Sequence, residues 1–215
     1  MQLTTLDKWY DDVRLEVSGA PNPLIDQRLR LSAIEVCKRT LISQEEIDPV
    51  DIELGVADYR LEPLNTCLKI WRVLWIRTPD RVLKSATRRT LASEGRDWTR
   101  DTGEAPLSWV NLAADQIQLI PKPSKAIIDG FTPYVAFVPS ATTKKLDTRL
   151  FTFYKEVVLA GTVSKLLRIT GTDWFDKDAA NHRELEFQAE ISKILANNFK
   201  DESVADLHVA MRPFV

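Results

Sequence analysis

The feature that most constrains the fold is a change of hydrophobic periodicity that happens twice along the chain. As far as Asp48 and Pro49 the apolar residues recur at helical spacing, and from Asp51 they alternate in short runs, as strands do. Helical spacing returns at Leu150. Helices and strands segregated in this way are typical of the α+β class. The sequence therefore predicts a helical bundle with a small antiparallel β-domain inserted between its N-terminal and C-terminal helices.

This pattern divides the chain into four parts. The length of 215 residues suits one domain with a sizeable insertion. Residues 1–50 are expected to form the N-terminal helices of the bundle, and residues 51–145 the inserted β-rich domain. Residues 146–200 are expected to form a C-terminal helical hairpin that completes the bundle. Residues 201–215 follow it as a C-terminal extension, or arm.

Glycine, proline and capping residues set the bounds of the expected elements. The expected helices are Leu3–Val17, one through Ile25, Leu29, Cys37 and Leu41, a buried one over Leu150–Ile169 with Gly171 as its C-cap, and a last one from Lys177 to Phe199. The expected strands are Ile52–Val56, Cys67–Ile76, Asp115–Pro121 and Tyr134–Pro139, with Pro121, Pro123, Pro133 and Pro139 at strand ends, where a missing N–H is tolerated.

The composition excludes several classes of function. With 29 basic and 31 acidic residues the net charge is −2, whereas a protein that coats nucleic acid is normally basic. Two isolated cysteines build neither a disulfide framework nor a zinc knuckle, which indicates a reducing compartment. The N-terminus lacks the pattern of a secretory signal, and no apolar run reaches the roughly 18 residues of a membrane span. We therefore expect no metal, no cofactor and no membrane partner.

The densest cluster of ionisable residues is GTDWFDKDAANHRELE, residues 171–186. On a helix of 3.6 residues per turn, Asp178, His182 and Glu186 lie within roughly 80° of one another, opposite an apolar face that carries Ala180, Phe187, Ile191 and Ile194. A catalytic or metal site usually has a water-excluding wall, and this stripe points away from it. The spacing matches neither a calcium loop nor H-E-x-x-H. We therefore interpret Asp173 or Asp176 as a helix N-cap and the stripe as solvated.

Other catalytic chemistry has little support in the sequence. The nucleophile elbow, the Walker phosphate loop and G-x-G-x-x-G are all absent. Cys37 could act as a nucleophile with His182 as its base, but a lone cysteine on an apolar helical face is typical of a core. An enzyme that uses only Asp and Glu stays open. The sequence predicts a non-enzymatic protein with no catalytic residues.

Two features indicate contacts with other chains. The segment Cys67–Ile76 is apolar on both faces of a strand, so it is central in a sandwich or pressed against another subunit. For the second alternative we predict Trp71 and Trp75 as inter-subunit contacts, together with Arg88 and Arg89. The tail could be a frayed end or an extended arm that adds to a partner. The predicted binding residues of this arm are Leu207, Val209, Met211, Arg212 and Phe214.

Residues 81–100 are basic and less regular, and we expect a helical excursion from the sheet there. Their cations could contact phosphates or an acidic partner surface, or form a solvated positive face.

The segment LDTRLFTFYKEVVLAGTVSKLLRITGTDWFDKDAANHRELEFQAEI, Leu146–Ile191, resembles the C-terminal helical hairpin of tailed-bacteriophage head–tail adaptor proteins, also called head-completion or connector proteins. The shared pattern is an aromatic-led helix with small residues, a leucine pair, a turn with a tryptophan, and a second helix. PLSWVNLAADQIQLIPKPS resembles their β-portion, and RLRLSAIEVCKRT their second helix. The residues of the hairpin pattern are Phe153, Tyr154, Ala160, Gly161, Leu166, Leu167, Trp174, Ala180 and Phe187.

The resemblance implies a ring-forming structural protein that docks beneath the portal vertex after genome packaging. The ring would have twelvefold symmetry, extend the DNA channel without binding DNA specifically, and offer a platform to tail or nozzle proteins. The arm would bind the portal protein. The implied location is the head–tail interface of the virion, after synthesis in the bacterial cytoplasm. Two alternatives stay open, a cell-wall hydrolase of the virion that uses two carboxylates and another structural subunit of the tail tube or baseplate.

Overall fold

The computed structural model describes residues 2–93, 98 and 100–202. It is a mixed α+β protein in which several small sheets lie between N-terminal and C-terminal helices, so the predicted class is confirmed. Within the described residues, no helix is both long enough and apolar enough to cross a membrane. The helices are α1 (Tyr10–Glu16), α2 (Asn22–Thr40), α3 (Arg88–Ser93), α4 (Thr148–Phe153), α5 (Lys155–Leu167) and α6 (Lys177–Glu202).

The strands all come from the N-terminal segment and the middle of the chain. They are β1 (Leu3–Thr5), β2 (Gln44–Glu46), β3 (Val50–Ile52), β4 (Asp58–Arg60), β5 (Leu68–Arg77), β6 (Lys84–Ala86), β7 (Thr102–Gly103), β8 (Ser108–Ala113), β9 (Gln116–Ile120), β10 (Lys122–Pro123), β11 (Ile127–Pro139) and β12 (Lys145–Asp147). Within the described residues the chain divides into two compact units. The β-rich unit is drawn from Met1–Thr5 and Ala33–Thr148, and the helical unit from Leu6–Ser32 and Arg149–Val215.

The β-rich unit is organised around the long strand β11. One edge of β11 pairs with β5, and the other pairs with β2 and β3, all antiparallel. A second four-stranded sheet has the order β4-β9-β8-β6. Both sheets contribute side chains to one core. Its largest fully buried members are Trp109, Phe131, Phe137, Ile52, Leu61, Ile76, Ile117 and Leu119.

The expectation of a purely antiparallel domain is corrected in two places, because β6 pairs with β8 and β7 with β10 in parallel. A parallel pair needs a long crossover, usually with a helix. The connection from β6 to β8 provides one, since it contains α3. A helical excursion was expected between residues 81 and 100, and α3 confirms it over Arg88–Ser93.

The strand β5 contains two β-bulges, and they explain why its sequence is apolar on both faces. Its pairing with β11 skips Leu74 between Trp75 and Val73, and skips Trp71 between Arg72 and Ile70. A bulge places two residues opposite one and so resets the alternation of faces. The core therefore receives Leu68, Ile70, Val73 and Ile76, while the other face holds Lys69, Trp71, Arg72, Leu74 and Trp75.

The strand and proline expectations of the middle segment need two corrections. Pro121 follows β9 and Pro139 ends β11 as expected, but Pro133 lies inside β11. Its carbonyl still accepts a hydrogen bond from Ile47 N at 3.1 Å, so only the missing N–H is lost from the ladder. Pro123 is the last residue of β10, so it also lies at a strand end as expected. The expected strand Ile52–Val56 stops after its first residue, because Gly55 adopts a φ of +74° in a turn.

Pairing over long distances in sequence changes the expected first helix. Leu3–Thr5 form β1, which pairs with β12 in the β-rich unit, and a 3-10 turn covers Leu6–Trp9 before α1 begins at Tyr10. The expected helix Leu150–Ile169 is divided between α4 and α5, and α5 ends at Leu167. Gly171 is therefore not its C-cap but lies, with a φ of +79°, in the turn before α6.

Candidate interaction surfaces

The faces of α6 are arranged as its periodicity predicts. Ala180, Phe187 and Ile191 are fully buried, while Asp178 and His182 are exposed on the other side. Ile194, expected on the same apolar face, is half-buried. The local period of 3.6 residues is sufficient to place these side chains, since one continuous helix carries them all.

Asp176 caps the N-terminus of α6, one of the two positions predicted for this role. Its Oδ1 accepts hydrogen bonds from the backbone N–H of Asp178 at 3.0 Å and of Ala179 at 2.9 Å. These are two of the N–H groups that have no partner inside a helix. The carboxylate also lies at the positive end of the helix dipole. Asp176 is therefore a structural residue of the turn between α5 and α6.

We predict that Asp176→Ala lowers the free energy of unfolding by about 1 kcal/mol, the usual loss when an N-cap is removed. Asp173→Ala is the matched control, because this exposed carboxylate lies in the same turn, outside the helix, and its loss should cost less than about 0.5 kcal/mol. Urea unfolding followed by circular dichroism measures both variants. Equal losses for the two variants would contradict the capping role.

Three further charged residues of the segment 171–186, His182, Arg183 and Glu186, form ion pairs within α6 or with α1. Arg183 binds Glu16 at the end of α1 at 2.6 Å and Glu186 on its own helix at 2.5 Å. His182 Nε2 lies 3.2 Å from Glu186 Oε1. Each of these pairs is partly exposed and contributes little alone, but the shared arginine joins α1 to α6. These ion pairs therefore have a structural role.

Glu184 lies at the contact between α5 and α6. Burial by itself would raise its pKa, but hydrogen bonds from Gln188 Nε2 at 2.6 Å and Ser164 Oγ at 3.0 Å, together with the charges of Lys165 and Arg168, hold the pKa below its ordinary value. Glu184 is thus kept ionised, and its hydrogen bond to Ser164 fixes α6 against α5.

The seam between α5 and α6 depends on one close approach. Gly161 is buried on α5, and a Cβ at this position would lie 2.8 Å from Cε2 of Phe187 and 3.2 Å from Oγ of Ser32. Only a residue without a side chain leaves room for the phenyl ring there. The hairpin is therefore specified by a small residue on one helix and a large one on the other.

The predicted alternatives with cysteine or metal chemistry gain no support from the described residues. Cys37 is 1% exposed on α2, whereas a reactive thiol needs access and an electropositive environment. Within the described part of the chain, no group of three or more His, Cys, Asp or Glu side chains could hold a metal ion.

A basic and aromatic surface covers the outward side of β5 in the β-rich unit. Trp71 is 39% exposed, and Nζ of Lys38 lies 4.3 Å from the centroid of its ring. Lys69 and Arg72, its neighbours on the same side, are exposed. We call Lys38, Lys69, Trp71 and Arg72 the β5 face. Trp75 lies on the same side of β5 but is not part of this set. It is half-buried, and its ring stacks on Tyr134 at a centroid distance of 4.8 Å.

A cleft of about 520 Å³ opens in the same unit, between the loops around β3 and the start of β11. Its apolar lining residues are Ile47, Pro49, Val50, Pro63 and Leu64, of which Ile47 is buried. Its charged lining residues are Asp48, Asp51, Glu62, Asp129 and Arg60. We call this set the acidic cleft. The sequence analysis missed it, because its residues come from three separate segments that form no motif.

The acidic cleft has a fixed geometry. Oδ1 of Asp51 accepts a hydrogen bond from the backbone N–H of Asp129 at 2.7 Å, and Asp129 adopts a φ of +50°. Arg60, the one cation of the lining, has its Nε directed to Oδ2 of Asp115 at 3.1 Å. The negative charge of the lining is therefore compensated only in part.

The other predicted contact residues lie on different elements. Arg88 and Arg89 are exposed on α3, which follows β6 of the second sheet, whereas Trp71 and Trp75 lie on β5 of the first. Residues 94–97 and 99 of the basic segment 81–100 and the predicted arm residues fall outside the described residues. The arm residues are Leu207, Val209, Met211, Arg212 and Phe214.

No family model matches the chain, and a search of the curated proteins returns no relative of it. The function is therefore inferred from the geometry above and from the resemblance of the sequence pattern to head–tail adaptor proteins.

Proposed function

We propose that this chain is a structural head-to-tail adaptor of a tailed bacteriophage. In this proposal, twelve copies form a ring that binds the portal protein, extends the DNA channel and offers an attachment platform to tail or nozzle proteins. The helical unit is the bundle and the β-rich unit is the domain inserted into it. The protein catalyses no reaction, and its place is the head–tail interface of the virion.

The observation that carries the proposal is the burial of the residues on which the resemblance depends. Three of the nine residues in the hairpin pattern are not fully buried: Phe153 is 75% exposed, and Tyr154 and Trp174 are half-buried. The other six residues of the pattern are buried on α5 and α6. They are Ala160, Gly161, Leu166, Leu167, Ala180 and Phe187. The pattern is therefore a packing pattern, as expected of a scaffold hairpin, and one of its pairs, Gly161 with Phe187, fixes the seam.

The middle segment that resembles the β-portion of adaptors gives independent support. Residues 106–124 contain β8 and β9, which pair antiparallel, with Trp109 opposite Leu119. Both side chains belong to the core of the β-rich unit. The structural use of Asp176, Arg183 and Glu184 agrees with a protein whose charged cluster stabilises a fold rather than performing chemistry.

The test is electron microscopy of the purified chain mixed with the portal protein encoded in the same genome. We expect a collar of ordered density at one end of the portal, and its symmetry gives the copy number. A chain lacking residues 201–215 is expected to keep its circular dichroism spectrum and unfolding midpoint but to form no collar. Portal particles that remain bare with the full chain would overturn the proposal.

The hydrolase alternative has one observation in its favour, the carboxylates that line the acidic cleft. A glycosidase needs two carboxyl groups about 5 to 9.5 Å apart across its substrate. Peptidoglycan cleavage that is lost on Asp48→Asn or Glu62→Gln, but kept on Asp173→Asn, would favour this alternative.

A collar that forms on tail tubes or baseplates instead of portals would favour another structural subunit of the tail.

A further inference from the structure

The β5 face has the form of a binding surface rather than of a solvated strand. Among the described residues β5 pairs with β11 only, apart from one bridge from Arg77 to Val82. Edge strands are commonly protected by charges and bulges, and Lys69, Arg72 and the two bulges meet that need. An exposed tryptophan does not, because it adds apolar surface where protection is needed. Tryptophan with neighbouring arginine is instead typical of the residues that dominate binding energy at interfaces.

The acidic cleft is complementary to the β5 face in charge and in chemistry. The face carries three cations around one indole, and the cleft carries four carboxylates and one arginine beside its apolar lining residues, so charges of +3 and −3 meet. Cavities of roughly 300–1,000 Å³ hold organic groups of ligand size, and the 520 Å³ of the cleft fall in that range. The volume and the lining of the cleft can therefore take the Trp71 ring beside its apolar residues and cations beside its carboxylates.

The two surfaces of one chain cannot satisfy each other. Trp71 is the bulged residue opposite Ala136 and Phe137 of β11, while the cleft includes Asp129 of the same strand. At about 3.3 Å per residue, the seven residues from 129 to 136 place the Asp129 end of the cleft roughly 23 Å along β11 from Trp71, and the near end of the cleft, at Ile47, lies beside Pro133. The partner of each surface must then be another molecule, and a second copy of this chain carries the matching surface.

We propose that copies of this chain associate head to tail, with Trp71 of one copy seated in the acidic cleft of the next and Lys69 and Arg72 facing Asp48 and Glu62. Two different surfaces meet, so the contact is heterologous and closes into a ring or grows into a filament. This inference deepens the proposed function, on whose ring it rests, by naming the contact between neighbours. Both surfaces are present in the folded chain, so the association needs no portal.

The experiment is mass photometry and sedimentation velocity of the full chain alone, over a range of concentration and salt. We expect concentration-dependent oligomers that weaken as salt screens the charges. Trp71→Ala, Arg72→Glu and Glu62→Lys should each raise the dissociation constant at least about 30-fold, the equivalent of a hot-spot loss of about 2 kcal/mol. Leu107→Ala, an exposed apolar residue just before β8, and Lys84→Glu, an exposed cation on β6, are matched controls expected to have no effect.

Mixing separates this contact from any symmetric one. A Trp71→Ala chain keeps its cleft, and a Glu62→Lys chain keeps its β5 face. Each is expected to be monomeric alone, and an equimolar mixture should stop at the heterodimer, because only one complementary pair of surfaces remains. Urea midpoints equal to that of the unchanged chain show that both variants are folded.

The inference is overturned if the unchanged chain stays monomeric, if its oligomers ignore Trp71, Arg72 and Glu62, or if the mixture stays monomeric. Its failure is distinguishable from that of the proposed function. A collar that forms on the portal equally well with Trp71→Ala keeps the adaptor and removes this contact. Oligomers that depend on Trp71, in a chain that does not bind the portal, would keep this contact and remove the adaptor function.

Discussion

Replacing Phe187 by alanine is expected to lower the free energy of unfolding by about 3–5 kcal/mol, the range for a fully buried phenylalanine. The side chain is 0% exposed, and its ring lies against the backbone of α5 at Gly161. Removing the ring therefore opens a cavity at the seam that the two helices cannot fill without moving. Urea unfolding followed by circular dichroism measures the loss. Phe153→Ala, with 75% of its side chain exposed in the same unit, is the control and should change little.

A second substitution makes this prediction specific to the seam. In the unchanged chain, Gly161→Ala places a methyl group 2.8 Å from the Phe187 ring and should cost about 1–3 kcal/mol through overpacking. In the Phe187→Ala chain the same methyl group enters the cavity, and the helix gains about 1 kcal/mol in propensity over glycine. Gly161→Ala should then cost much less or stabilise. Additive effects of the two substitutions would show that the two residues do not share a contact.

What the sequence allowed to be predicted depended on the range of the interactions involved. The apolar face of α6 and the capping role of Asp176 follow from residues within a few turns of one helix, and both expectations are confirmed. The bulges of β5 and the strand Leu3–Thr5 are decided by partners far along the chain, in β11 and β12. A bulge adds one residue without any local mark in the sequence. Strict alternation would group Trp71 with Val73, which lies in the core, and so does not show that Trp71 is exposed.

The same reasoning explains the outcome for the candidate surfaces. Trp71 was predicted as a contact residue because a strand with two apolar faces needs a partner on each, which is a local pattern. The acidic cleft had no such signal, since the pairing of β3 with β11 brings Asp48 close to Asp129, and Glu62 comes from a third segment, after β4. Charge counted along the sequence shows a near-neutral chain, whereas the fold separates that charge into a basic face and an acidic cleft. Surfaces of this kind become visible only in the folded unit.

Trp109 and Trp71 are expected to respond to truncation in opposite ways. Trp109 is 1% exposed in the core shared by both four-stranded sheets, so Trp109→Ala should cost about 3–5 kcal/mol of unfolding free energy. Trp109→Phe should cost much less, because the ring stays buried and the lost indole N–H has no acceptor among the described residues. Urea unfolding of the two variants measures both losses.

Trp71→Ala completes the comparison, since it removes the same side chain from the surface of the same unit. Its unfolding free energy should fall by less than about 1 kcal/mol, the scale of an exposed cation–π contact such as that with Lys38. Self-association should nevertheless be lost. The opposite result, a large loss of stability with unchanged association, would place Trp71 in the core and leave the β5 face without a function. A stable, monomeric Trp71→Ala chain and a strongly destabilised Trp109→Ala chain would instead show that Trp109 stabilises the core of the β-rich unit and that Trp71 binds the neighbouring copy.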